Sequence, residues 1–325
     1  MINYLLKLSA VIFVILINLP GNSFSQTLIR IASVSGPSHH HNVALNWFAE
    51  RVNKQNIGIE FKVFSGAQLG NDEREYIEGL EQGTIQMAQV STGPIGSFIG
   101  EFDIFSLPYV FKNTDHFKKI LTGPIGQKYS KMLEKKGMVL IAWFDNGDRH
   151  VFNSKRPINK PSDLSGLKIR VIKSAVMVDT INAMGGSAVP MAYGELYTAL
   201  QQGVLDGAEN AAGNIFNDKF FEVSKFVSLT QHFRPPGVVV ISKKTWDKLT
   251  DQQKKVILKE GAALQAYEID LTTKIVEDSL KQLEQKGMKI NKVDTNSFAS
   301  AVKPVYNGYI SKFGKQDLDA ILNTK

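Results

Sequence analysis

Apolar positions in the first stretch of the chain change period twice. Residues 28–34, "LIRIASV", read as a strand. In "HHNVALNWFAERVNKQN" (40–56), Ala44, Trp47, Phe48 and Val52 recur at three- to four-residue intervals, which predicts an amphipathic helix. "IEFKVF" (59–64) returns to alternation and predicts the next strand. A strand, helix and strand in this order predict a βαβ unit and a parallel sheet. A helix in "REYIEGLEQG" follows, stopped by Gly83, and then a buried-strand run, "IQMAQVS". "HFKKILTGPIGQKYSKMLEKKG" reads as helix broken at Gly123-Pro124, ahead of the strand "MVLIAWF".

The same grammar restarts at "HVFNS" (150–154). "LKIRVI" predicts a strand, "AVMVDTINAMG" and "YGELYTALQQGV" predict helices, and "GVVVIS" a further strand. From a Thr-Asp cap at 250–251, one helical pattern runs almost unbroken to Gly287. A helix of that length outside a coiled coil spans more than one domain. The pattern therefore predicts an α/β, two-lobed architecture: two α/β domains joined by crossing strands and braced by the long helix. The expected bounds are 26–147 with 236–272 for lobe I, and 148–235 with 273–325 for lobe II.

The N-terminus stands apart. Lys7 precedes the apolar run Leu8–Leu19, then Pro20-Gly21 and the small residues Ser23 and Ser25, the form of a secretory signal peptide over 1–25 cleaved after Ser25. The expected compartment is thus extracytoplasmic. The 325 residues suffice for two cores without disulfide staples, and there is no cysteine, which excludes thiol catalysis and Cys-based metal sites. The net charge of +7 comes mostly from lysines scattered among acids, without the clustered basic and aromatic residues that nucleic-acid binding requires.

Chemistry-bearing motifs are sparse. There is no HExxH, G-x-S-x-G or Walker loop, and "GPIGSFIG" (93–100) lacks dinucleotide-loop spacing, so no cofactor or catalytic set is expected. His39-His40-His41 is the one metal suspect. On a helix, successive residues point about 100° apart, so the three rings are expected not to converge on an ion, but to form a solvated run at a helix start. What remains is an anion-binding set: of seven arginines, Arg149, Arg156 and Arg170 fall within 22 residues. Arg156, before Pro157, is expected in solvent. Arg149 and Arg170 adjoin strands, where a guanidinium fork can meet a carboxylate through two charge-assisted hydrogen bonds. For Arg170 an internal pair with Asp179, Glu195 or Asp206 stands equally open.

Several motifs together resemble one family. "DLSGLKIRV" followed by "GGSAVPMAYGELYTALQQGVLDGAEN", with "GAQLGNDERE", "FSLPYVF", "DNGDRHVFNSKRPI" and "ISKKTWDKL" in order, is similar to the solute-binding proteins of tripartite ATP-independent periplasmic (TRAP) transporters. The resemblance implies a periplasmic, non-enzymatic binding protein, monomeric, that closes on an organic acid and hands it to a membrane permease driven by an ion gradient. It assigns Arg170 to the ligand carboxylate, Asn210 to the same group, Arg149 to a second basic position and Tyr193 to an aromatic wall. Resemblance to the uronate-binding branch points to a hexuronate or related sugar acid, with His39, Glu73 and Arg74 as hydroxyl partners. A C4-dicarboxylate or keto acid is the alternative; a dicarboxylate needs a second cation, for which Arg74, Arg149 and Lys173 are candidates. An exported lyase or isomerase using Glu73 and His39 as acid and base is the competing class. His232 is expected to be a satisfied histidine between the lobes.

Overall fold

The computed structural model describes residues 26–325, and the expected signal peptide over 1–25 lies outside them. Two sheets form the frame. The first contains β1 (Thr27–Ala32), β2 (Ile59–Phe64), β3 (Met87–Ser91) and β4 (Met138–Asp145). The second contains β5 (Arg149–Asn153), β6 (Lys168–Val171), β7 (Ser187–Pro190), β8 (Gly207–Ala211) and β9 (Phe226–Phe233). β10 (Pro236–Ser242) returns to the first sheet and β11 (Lys289–Lys292) to the second. The orders are β2-β1-β3-β10-β4 and β11-β9-β5-β8-β6-β7.

The predicted βαβ opening is present. β1 pairs parallel with β2, from Thr27 opposite Ile59 to Ala32 opposite Phe64, and with β3. Between them, α1 (His40–Asn53) buries Ala44, Leu45, Phe48 and Val52 against the sheet. The sheet is mixed rather than parallel, because β10 runs antiparallel to both β3 and β4. The reason lies in the connections. β4 leaves the first sheet for β5 through residues 146–148, and β10 enters it from β9 through 234–235, so the start of β10 lies opposite the end of β4 and the two run opposite ways. Each sheet therefore receives a strand that continues directly out of the other.

Four strands carried no clear period in the sequence: β7, β8, β9 and β11. β8, "GAENA", is buried at every position and has no β-branched or aromatic residue, so neither alternation nor composition marks it. α2 (Glu73–Gln82) starts at the cap Asp72, whose side chain accepts from Arg74 N, and stops at Gly83, whose φ of +81° a side chain would strain. The break at Gly123-Pro124 separates helices Thr114–Thr122 and Pro124–Lys135.

The long helix, Asp251–Gln285, opens on a capping box between Thr250 and Gln253 and spans both lobes. Ile257 and Leu264 join the core under the first sheet, while Leu283 joins the core under the second. The segment after Thr295 also touches both. His116 Nε2 lies 2.9 Å from the Ile321 carbonyl oxygen, and Tyr309 donates to Asp179 at 2.6 Å.

Candidate ligand-binding site

The two sheets face each other across a cavity of about 40 Å³. That volume holds only a few water molecules, so the lobes stand nearly closed on one another. The first lobe contributes Ser35 and His39 ahead of α1, Asp72 and Glu73 at the start of α2, and Gln89 and Ser91 on β3. The second contributes Arg149, Arg170, Lys173, Tyr193, Asn210 and Asn214.

Arg170 sits on β6, between β7 and β8, with 2% of its surface exposed. Its Nε and Nη2 both donate to the Met191 carbonyl, at 3.0 and 2.7 Å, and its Nη1 is buried without a partner. None of Asp179, Glu195 or Asp206 pairs with it, and no carboxylate forms a salt bridge with it among the described residues. Burial lowers its pKa to about 10, against the opposing pull of Glu209. The guanidinium thus remains charged at neutral pH while one arm of its fork is unused. Its carbon Cζ lies 5.5 Å from the Tyr193 ring centroid, within cation–π range.

Asn210, on β8, is held by its neighbours. Its Oδ1 accepts from Arg149 Nη1, Asn214 Nδ2 and Ala211 N, at 2.8 to 2.9 Å, and its Nδ2 donates to Tyr193 Oη at 3.3 Å. Tyr193 Oη in turn donates to Asp218. Asn214 leaves its own Oδ1 buried and unpaired on the cavity wall.

Three expectations need correction. Arg149 borders the cavity but is not a free cation: its Nε and Nη2 grip the Glu209 carboxylate, and Nη2 also donates to the Glu209 carbonyl. β5 and β8 are antiparallel with Arg149 opposite Ala211, which puts Glu209, two residues along, diagonally across on the same face. Arg74 does not line the cavity, because its side chain runs to Ser97 Oγ at 2.8 Å and to the Lys173 carbonyl at 3.4 Å. His39, His40 and His41 do converge and are 1–3% exposed. His39 is the cap of α1, extended at φ −62° and ψ 138°, so helical spacing does not apply to it. Its Nδ1 accepts from His41 N at 3.2 Å, and the ring centroids lie 4.3 to 4.6 Å apart.

Other expectations meet mixed outcomes. Glu73 lines the cavity as the first residue of α2, and its Oε1 accepts from Ser91 N and Oγ at 3.0 and 3.2 Å. Burial raises its pKa from 4.5 to about 7, despite those bonds and Arg170 across the cleft. Arg156 is exposed, bonded to the Asp163 carbonyl at 2.9 Å. His232 is fully buried within β9 and only half satisfied: Nδ1 meets Thr230 Oγ1 at 2.8 Å and Nε2 has no partner. Lys173, weighed as a second cation, is paired with Asp72 across the cleft. Glu209, Asn214 and Asp218 escaped the sequence reading. None of the three left a periodic signal: Asn214 follows Asn210 by four residues, but Asn210 lies on β8 and Asn214 on the helix Ala212–Asn217 after it.

A family model described as "Bacterial extracellular solute-binding protein, family 7" matches residues 31–312. The chain belongs to that family. Its fold and the order of its motifs make it a TRAP solute-binding protein, as the resemblance implied. A solute-binding protein of Verminephrobacter eiseniae is 36% identical over 305 residues, 91% of this chain and 89% of the relative. A TRAP periplasmic solute binding protein from Polaromonas sp JS666, solved bound to D-erythronate, is 36% identical with a TM-score of 0.89, covering 92% of this chain and 99% of that one. Another from Citrobacter koseri, with bound D-glucuronate, is 33% identical with a TM-score of 0.87, covering 92% and 100%.

Proposed function

We propose that this TRAP solute-binding protein captures a hexuronate or related sugar acid outside the cytoplasm and passes it to its membrane permease. The observation that carries the reading is Arg170 Nη1, a buried guanidinium arm with no partner, beside a polar cavity. A buried cation is costly until paired, so an incoming carboxylate supplies what the fold leaves out and favours the closed state. The carboxylate meets Arg170, Asn210 Nδ2 is the second donor, and Tyr193 covers an apolar face.

The distribution of charge favours a sugar acid over a dicarboxylate. Every candidate for a second cation is engaged: Arg149 by Glu209, Lys173 by Asp72, and Arg74 away from the cavity. Glu73 on the opposite wall repels a second carboxylate when ionised and accepts from a hydroxyl in either state. The relatives bound to D-erythronate and D-glucuronate support polyhydroxy monocarboxylates of four to six carbons. With the cavity so small, the longer acids enter by opening the lobes. An enzymatic role for Glu73 with His39 is disfavoured by the cap, which occupies His39 Nδ1. The same reading includes cleavage of a leader near Ser25, a monomer in the periplasm, and the lobe bounds 26–147 with 236–272 and 148–235 with 273–325.

The test is a thermal-shift screen of residues 26–325 against glucuronate, galacturonate, erythronate, succinate, malate and 2-oxo acids. A ligand at about 1,000 times its Kd adds about 4 kcal/mol of stability. Stabilisation by a sugar acid without turnover is the expected result. Stabilisation by succinate or malate alone overturns the ligand class, and steady product release overturns the binding role.

A further inference from the structure

We propose that His39, His40 and His41 form a binding site for a divalent transition-metal ion of the zinc class, on the first lobe's side of the cavity with Glu268 beside it. One ring nitrogen from each histidine lies within 4.8 Å of one from each of the others. Tetrahedral zinc, with bonds near 2.0–2.1 Å, needs its nitrogens about 3.3 Å apart, a convergence that small side-chain rotations supply. The Nε2 atoms of His40 and His41 are buried and have no hydrogen-bond partner. His39 spends Nδ1 on the helix cap, so Nε2, on a ring that Asn214 approaches from the second lobe, is the nitrogen it offers. A buried unpaired nitrogen is a standing cost, and two within one cluster are removed together by a shared ion.

A carboxyl stands beside the cluster. Glu268 is fully buried on the long helix. Its Oε1 accepts from Thr272 Oγ1 at 2.9 Å and lies 3.4 Å from His41 Nε2, and Oε2 accepts from Asp145 N at 2.9 Å. It makes no ion pair with a lysine or arginine among the described residues. The start of α1 opposes a cation through its dipole, whereas the Glu268 carboxyl lies beside His41. Imidazole ligands select zinc, cobalt, nickel or copper over magnesium or calcium. The other three histidines, His116, His150 and His232, are buried elsewhere, and the chain has no cysteine to compete.

The experiment is a Co²⁺ titration of the chelator-stripped mature protein, followed by visible d–d absorption and calorimetry, then displacement by Zn²⁺. His40→Ala is the diagnostic variant, because His40 does not border the cavity. One equivalent of Co²⁺ should bind, with affinity lost by about tenfold or more in His40→Ala. Sugar-acid binding measured in chelator should be unchanged in the variant, which separates this site from the ligand reading. His40→Gln, checked by circular dichroism, replaces the alanine variant if that one unfolds. Absent binding, or binding that His40 substitution leaves intact, overturns the proposal.

Discussion

At the scale of single residues, Arg170 and Glu73 make opposite demands on the cavity. Arg170 keeps its charge and lacks an acidic partner, with Nη1 unpaired; Glu73 has partners and resists its charge. Arg170→Ala should weaken sugar-acid binding about 100-fold or more with the fold intact, since it removes the only unused guanidinium arm on the cavity wall among the described residues. Arg170→Lys retains the charge but not the fork, and should bind clearly worse than wild type in the same calorimetric titration. For Glu73 the readout is pH. Its folded pKa of about 7 lies above the ordinary 4.5, so the folded state holds the proton longer than the unfolded one. Its contribution is full below pH 4.5 and is lost as pH rises to about 7, by on the order of 3 kcal/mol. The buried His39, His41 and His150, lowered to about 4, act the other way and lose stability as pH falls from 6.5. Wild type therefore mixes both slopes. Urea unfolding of Glu73→Gln between pH 4.5 and 7 should lack the Glu73 decline; a difference from wild type that stays constant with pH refutes the shift.

At the scale of elements, legibility followed periodicity where one face is wet, as in α1 and α2, and side-chain type where none is. β3, β5 and β10 are buried throughout but carry apolar, β-branched or aromatic residues that mark them as strands. β8 is buried throughout without such residues, and β7 and β11 are four residues long, too little for a period to declare itself. That gap explains the error at Arg149. Its partner Glu209 lies on β8, and only the antiparallel pairing of β5 with β8 brings them together. A similar juxtaposition fastens the cleft. Asp72, the cap of α2, pairs with Lys173 just beyond β6, and Arg74 reaches the Lys173 carbonyl. Both bonds exist only with the lobes together. Lys173→Met should spare the α2 cap while removing the latch, raising the ligand dissociation rate about threefold to tenfold, with most of the change in the off-rate. Stopped-flow measurement of unchanged release would mean that the pair is a bystander.

At the scale of the whole molecule, the sequence carried two lobes and a long brace because period and length report them locally. It could not carry the way the chain crosses between sheets, which depends on strand partners far apart in sequence. The crossing is where Arg234 sits, between β9 and β10. It donates through Nη2 and Nε to Asp145 at the end of β4, at 2.6 and 3.2 Å, through Nη1 to Asp148 before β5, at 3.2 Å, and through Nη2 to Thr114 at 2.8 Å. One side chain thus ties both crossing links to the first lobe. Asp145 is fully buried, and Glu268 stands close enough to repel its charge. Removing the guanidinium leaves that carboxylate without compensation, a loss that costs about 3–5 kcal/mol where one partner of a buried pair is deleted. Arg234→Met, which keeps an unbranched apolar stem but removes the guanidinium that lies over Phe117, should lower the urea midpoint accordingly. The double variant Arg234→Met with Asp145→Asn should recover part of the loss, because the stranded charge is gone. If the double variant is no more stable than Arg234→Met alone, the cost lies in lost packing, and the crossing is held by the core that surrounds it rather than by this charge.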